Sequence, residues 1–184
     1  MPEPPDTVYH EGRWLTFGKK DDTNWEYVSR PGLKGVVGIL ALTDQREIVL
    51  VEQFRPPLAR KTIEIPAGLA GDDPYKADEP LLSAAKRELY EETGYEAKNW
   101  WSLCDGPSST GTTDEVVNIF LATGLRRVAE REIYGVDGEQ IRVYVVRLGE
   151  LHDFMGKKRD EGIHTDFKVQ ASLWMAERHP MWPA

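Results

Sequence analysis

Cysteine is nearly absent from this chain of 184 residues. Cys104 stands alone, so an intrachain disulfide is excluded, and no Cys/His spacing of the zinc type accompanies it. A reducing compartment is the simplest setting for such a chain. Long apolar runs are also missing. The longest, Val36 to Leu42, contains a glycine and falls far short of the roughly 20 residues of a membrane helix. The amino terminus, MPEPPDTVYH, has neither the basic start nor the apolar stretch of a signal peptide, which makes a cytoplasmic protein with no membrane partner the expectation. Basic charge is in deficit, with 23 Lys and Arg against 31 Asp and Glu and a net charge of −8. A chain of that sign repels a phosphate backbone as a whole, so nucleic acid is not an expected partner. Repeats are lacking too: the 16 Gly and 12 Pro follow no period. What remains, 40% apolar and 29% charged, suits one globular domain with an appendage.

Strand patterns dominate the first third. Arg13 to Phe17 and Trp25 to Ser29 flank the polar stretch Lys19 to Asn24 and read as a hairpin, followed by strands at Val36 to Leu42, Glu47 to Gln53 and Thr62 to Ile65. A helix is predicted from about Pro80 to Thr93, with Pro in its first turn, Leu81, Ala85 and Leu89 along the buried stripe, and Gly94 as its stop. Further strands fall around Trp100 to Leu103, Val116 to Leu121 and Ile141 to Val146, and a short helical piece near Leu148 to Met155. A last helix, Asp166 to Arg178, carries Phe167, Ala171 and Trp174 on one face and is ended by Pro180. Strands mixed with two or three helices make an α/β layered domain.

The polar side of the central helix holds the chemistry. Glu88, Glu91 and Glu92 stand at i, i+3 and i+4, a crowding of like charges that costs roughly 0.2–0.5 kcal/mol per pair on an isolated helix. Spacing alone leaves two readings open: a solvated acidic face partnered by Lys86 and Arg87, or a divalent-cation site. Oxygen-only ligands suit Mg²⁺ or Mn²⁺ rather than zinc.

Glu79, seven intervening residues, and then Arg87-Glu88-Leu89-Tyr90-Glu91-Glu92-Thr93-Gly94-Tyr95 resemble the Nudix box, GX5EX7REUXEEXGU with U an aliphatic or aromatic residue. The leading glycine of that pattern would fall at Asp73, whereas its equivalent here is Gly68, separated from Glu79 by ten residues instead of five. Leu69 to Asp78 therefore reads as a loop lengthened by insertion, which surface loops tolerate cheaply. Upstream, Glu52-Gln53-Phe54-Arg55-Pro56-Pro57 and Ile63-Glu64-Ile65-Pro66-Ala67-Gly68 are similar to the signature of ADP-ribose pyrophosphatases and related nucleoside diphosphate sugar hydrolases. Glu11-Gly12-Arg13-Trp14 with Trp25 to Arg30 resembles the segment that forms a small β-domain exchanged between subunits in that branch. Val136-Asp137-Gly138-Glu139 matches its GDGE loop.

The resemblance, which covers about Glu11 to Ala176, implies an α/β/α sandwich around a mixed sheet in residues 35–184, preceded by a small N-terminal β-segment in residues 1–34 through which a homodimer forms. It implies metal-dependent cleavage of a nucleoside diphosphate sugar to a nucleoside monophosphate and a sugar phosphate, with Mg²⁺ or Mn²⁺ as cofactor. Carried over by position, Glu88, Glu92 and the backbone carbonyl of Ala67 would bind the metals, with Glu91 nearby. Arg87 would orient the carboxylates, and Glu139 would be the general base. Arg55, Glu64 and Arg30 fall at substrate-contacting positions, and Trp14 and Trp25 would stack on the base. None of the four His is assigned a role.

One departure bears on the substrate. The branch carries Ser-Pro-Gly about fifteen residues after its box, whereas Ser109-Thr110-Gly111 puts Thr110 in place of the proline. ADP-ribose and several other nucleotide sugars stay open as substrates. So do three rival classes: a sensor that binds a nucleotide sugar without cleaving it, a Nudix hydrolase of another nucleoside diphosphate derivative, and a purely structural acidic domain.

Overall fold

The apolar run at Val36 to Leu42 becomes the centre of the molecule. A computed structural model describes residues 4–71, 78–128 and 141–182, and in it β4 (Gly35–Leu42) is buried along its whole length. A strand apolar on both sides needs cover on both, which sets the layering. β4 runs parallel to β9 (Val116–Arg127), from Val36 opposite Val117 to Leu42 opposite Thr123. β8 (Tyr95–Pro107) extends the sheet antiparallel beyond β9. On its other side β4 meets β5 (Glu47–Arg55) at Ala41 and Leu42, and there the two part company. The vacated edge of β4 is taken by β7 (Ala67–Ala70), antiparallel, with Gly38 opposite Ala67 and Val37 opposite Gly68. β5 continues into β6 (Arg60–Glu64), β10 (Arg142–Arg147) lies along its other edge, and β11 (His164–Thr165) joins β6 in parallel. This divergence matters for the site, because it threads Pro66, Ala67 and Gly68 through the middle of the sheet.

Helix α1 (Leu81–Thr93) covers one face. Its Ala84, Ala85 and Leu89 pack with Val37, Ile39, Ala41, Val49 and Phe120, the stripe that the 3.6-residue spacing foretells. Pro80 sits at the N-cap position, and Gly94 (φ 71°) ends the helix in the left-handed conformation, its N–H donating to the Tyr90 carbonyl at 2.9 Å. Helices α2 (Leu151–Asp160) and α3 (Phe167–Ala176) cover the opposite face through Leu151, Val169 and Ala176, against Ile48, Leu50, Ile63 and Leu121. The expected α/β/α sandwich with a mixed sheet is therefore what the chain forms.

A separate three-stranded sheet precedes it: β1 (Thr7–Glu11), β2 (Thr16–Lys20) and β3 (Trp25–Ser29). The hairpin strand expected at Arg13 to Phe17 lies later, from Thr16, and β1 was not foreseen. This sheet docks on the connection before β9. The Val28 N–H donates to the Thr112 carbonyl at 2.8 Å, Ser29 Oγ donates to Asp114 Oδ2 at 2.8 Å, and Arg30 pairs with Glu115 at 3.3 Å.

The last helix needs a correction. Phe167 and Trp174, read as one face with Ala171, lie outward, 88% and 57% exposed, while the packed face is Val169, Ser172 and Ala176. No helix among the described residues is long and apolar enough to cross a membrane.

Candidate active site

Three segments converge at the buried side of α1. The helix presents Glu88 and Glu92 one turn apart, and β7 lays the backbone of Ala67 and Gly68 against them. Glu92 Oε2 accepts a hydrogen bond from the Ala67 N–H at 3.0 Å. Gly68 lies so close to Glu88 that a β-carbon there would come within 2.0 Å of the Glu88 carboxyl carbon. Only a residue without a side chain leaves room for that carboxylate.

Arg87 organises the acids. Its Nε and Nη2 donate to the two oxygens of Glu79 at 3.2 and 3.0 Å, and Nη2 also donates to the Leu69 carbonyl at 3.0 Å. Its Nη1 donates to Glu88 Oε1 at 2.7 Å and to Glu91 Oε2 at 3.0 Å. A guanidinium has five N–H donors, so these contacts use the whole set. Lys86, the other cation of the solvated-face reading, is exposed. Glu91 is half exposed, while Glu88 and Glu92 lie inward.

Electrostatics follow from the packing. Burial, then the neighbouring charge of Glu88, pushes the Glu92 carboxyl up to about 8, with the Ala67 N–H partly offsetting this and Glu64 and Arg55 also within range. The inner acid is thus short of positive charge. Arg55 and Glu64 form a bidentate pair, with Nε to Oε1 at 2.7 Å and Nη2 to Oε2 at 2.6 Å, and the Thr62 hydroxyl donates to the same carboxylate. Glu64 is buried, so in this structure it holds Arg55 rather than facing open space.

The other expected residues lie elsewhere. Trp25 heads β3, and its indole N–H donates to the Gly111 carbonyl at 3.1 Å; with Lys20, Tyr27, Thr110 and Asp114 it walls a depression of about 370 Å³. Trp14, in the β1–β2 connection, stacks under Arg13 at 4.7 Å. No described hydrogen bond or ring contact joins either Trp to the acidic helix. Arg30 faces Glu115. Glu139 lies outside the described residues. Glu79 is the bidentate partner of Arg87; its signal in the sequence is the seven-residue interval ahead of Arg87.

Among the described residues no group of three or more His, Cys, Asp or Glu is poised as a ready metal cage. Two carboxylates on one helix with backbone beside them form a sparser donor set. It fits Mg²⁺, which keeps several waters and is bound through one or two carboxylates together with substrate phosphates.

Residues 32–167 match the NUDIX domain. The ADP-ribose pyrophosphatase of Bacillus subtilis (strain 168) is 37% identical over 163 residues, 89% of this chain and 82% of that protein. The methanol dehydrogenase activator of Bacillus methanolicus is 34% identical over 146 residues, 79% of this chain and 74% of that protein. A crystal structure described as an ADP compounds hydrolase superposes with a TM-score of 0.69, covering 96% of this chain and 94% of its own at 16% identity, a likeness of fold. The chain belongs to the Nudix family. It is a pyrophosphohydrolase of that family.

Proposed function

We propose that this enzyme hydrolyses the diphosphate bond of nucleoside diphosphate sugars, ADP-ribose foremost, to a nucleoside monophosphate and a sugar phosphate. The observation that carries the reading is the packing of Glu88 and Glu92 against the Ala67-Gly68 backbone, with Arg87 fixing the acids around them. Relatives named as ADP-ribose and ADP-sugar pyrophosphatases support the substrate class. Glu88, Glu92 and the Ala67 backbone would hold the divalent cation, Mg²⁺ or Mn²⁺. Such an ion, when bound, supplies Lewis acidity and neutralises the diphosphate charge.

The protein's own residues do the rest. Arg55, paired with Glu64 through its Nε–Nη2 edge, brings to the site a guanidinium suited to a diphosphate. Arg87, with its donors committed to Glu79, Glu88, Glu91 and Leu69, orients the acids. Glu139 is assigned the role of general base. It takes a proton from the attacking water, whose oxygen forms the new bond to phosphorus, while the bridging P–O bond breaks and its electron pair leaves on the departing phosphate. Trp14 and Trp25 would stack on the base, and Arg30 would lie beside it.

The N-terminal segment 1–34 is assigned to dimerisation. Its support is apolar surface left uncovered on a small sheet: Val8, Tyr9, Trp14, Leu15, Phe17 and Trp25 are all exposed.

Incubation with Mg²⁺ and a panel of ADP-ribose, ADP-glucose, GDP-mannose, UDP-glucose, NADH, coenzyme A and a nucleoside triphosphate tests the reading. Monophosphate from ADP-ribose, alone or with other nucleotide sugars, supports it. Binding without cleavage favours a sensor, and cleavage confined to the last three overturns the substrate class.

A further inference from the structure

β5 turns a row of residues toward the site, one of which has no part in the scheme above. Side chains alternate along a strand, so Val49, Val51, Gln53 and Arg55 share a face, and Val49 packs in the cluster that seats α1. Across the ladder Thr62 stands opposite Gln53 and Glu64 opposite Val51. Glu64 is therefore a diagonal neighbour of Gln53, within reach of a long side chain. Gln53 is 4% exposed, and its buried amide nitrogen, Nε2, has no hydrogen-bond partner among the described residues.

The nearby carboxylate is already engaged. Glu64 Oε1 accepts from Arg55 Nε and from the Thr62 hydroxyl, and Oε2 accepts from Arg55 Nη2. A buried donor without a match is rare and asks for a reason. One lies in the exposures of the ion pair: the Arg55 side chain is 39% exposed and that of Glu64 only 2%. Arg55 is open to a diphosphate, yet turning its Nε–Nη2 edge to phosphate withdraws both of those donors from a carboxylate that solvent does not reach. Taking the cationic partner from such a buried charge is strongly unfavourable, since only the neutral Thr62 hydroxyl stays on it.

We propose that Gln53 is a positioning residue. As the Arg55 fork turns from Glu64 to the diphosphate, the Gln53 amide donates to the vacated Glu64 oxygen beside the bond that Thr62 keeps, and Arg55 is released at small cost. No proton or electron is transferred; one hydrogen-bond donor replaces another. A carboxamide suits the task because it is long and neutral and carries two N–H donors. The proposal rests on the diphosphate reading above.

The test uses Gln53→Leu and Gln53→Met, each close to Gln in size, beside the wild type. It measures the Tm of the ligand-free protein and KM and kcat for ADP-ribose with Mg²⁺. The ligand-free Tm is expected to equal or exceed that of the wild type, because an unmatched buried donor has been removed. KM is expected to rise by about tenfold or more, the change that goes with losing a hydrogen bond to a charged group, while kcat moves less. An unchanged KM, with the Tm lowered or not, overturns the proposal and leaves Gln53 a packing residue. In a Glu64→Gln background the same Gln53 change is expected to add no further rise in KM, since no buried charge needs a replacement donor; an equal rise there also overturns it. Failure of the wild type itself to bind or cleave ADP-ribose is a distinct result, which removes the diphosphate reading and the proposal together.

Discussion

Gly68 and Glu88 are in contact without a spare atom's width: a β-carbon on Gly68 would lie 2.0 Å from the Glu88 carboxyl carbon and 2.1 and 2.5 Å from its oxygens. The acid therefore has its position set from below by backbone and from the side by Arg87.

Gly68→Ala forces Glu88 to swing away. Because the colliding group is the end of a flexible side chain, the protein is expected to fold, losing roughly 1–3 kcal/mol. Turnover is expected to fall much further than stability, since Glu88 leaves both Arg87 and the space beside Glu92. Thermal denaturation and ADP-ribose turnover on the same preparation check this; full activity with Ala in place would remove Glu88 from the metal set.

Glu92→Gln separates ligation from folding. With its carboxyl pushed up to about 8, Glu92 is largely uncharged at neutral pH before a cation binds, so a neutral amide is expected to leave the metal-free Tm within a few degrees of the wild type. Turnover is expected to drop by about 10²-fold or more, beyond the effect of losing a group that merely supports a ligand. Near-normal turnover would count against the metal assignment.

Arg87→Lys keeps the charge and loses the fork. One ammonium cannot reproduce the bidentate grip on Glu79 together with bonds to Glu88, Glu91 and Leu69. A lower Tm and a reduced kcat are expected, with apparent Mg²⁺ affinity weakened by about 10–100-fold. A magnesium titration of initial rate tests it, and an unaltered titration would relieve Arg87 of its positioning role.

Acid stability should report a cluster on the opposite face of the sheet. Glu52 is buried beside Lys61, Lys158 and the Tyr144 hydroxyl, with Lys61 at 2.9 Å and Lys158 at 3.0 Å. Burial raises its carboxyl pKa, but the hydrogen bonds from Lys61, Lys158 and Tyr144 outweigh that and hold it below the ordinary range. Burial acts the other way on Lys158, and bonds to Tyr144, Glu52 and Glu161 overcome it, so its ammonium is held above the usual lysine range. A lowered carboxyl contributes stability above its unfolded pKa of about 4.3 and loses it as pH falls through the folded value. A raised ammonium contributes below about 10.4 and loses it as pH rises beyond that. Lys158→Met is therefore expected to cost roughly 3 kcal/mol at pH 7, with the gap from wild type narrowing below about pH 4 as Glu52 protonates. Denaturant unfolding across pH measures that gap, and one that stays constant would mean the pair is not coupled to stability.

The acidic helix was legible from its sequence because three independent signals coincide there: the apolar stripe Leu81, Ala85, Leu89, the glycine stop, and the charged pattern from Glu79 to Glu92. The arm of Arg87 toward Leu69 was not legible, since it joins residues whose separation along the chain carries no period. β1 escaped notice because its small sheet buries almost none of it: four of its five residues are exposed, and alternation disappears. In α3 the large rings of Phe167 and Trp174 suggested an inner face. Its packed face is instead made of smaller residues, Val169, Ser172 and Ala176, which let the helix lie close to the sheet.

Arg87 grips the chain at two points, the Leu69 carbonyl, which lies in β7 and not in the loop expected from Leu69 to Asp78, and the Glu79 carboxylate ahead of α1. The two anchor points are thereby fixed to each other and to Glu88 through one side chain. One guanidinium thus rivets β7, the approach to α1 and the helix itself together, so that strand and helix cannot slide past each other without breaking its bonds.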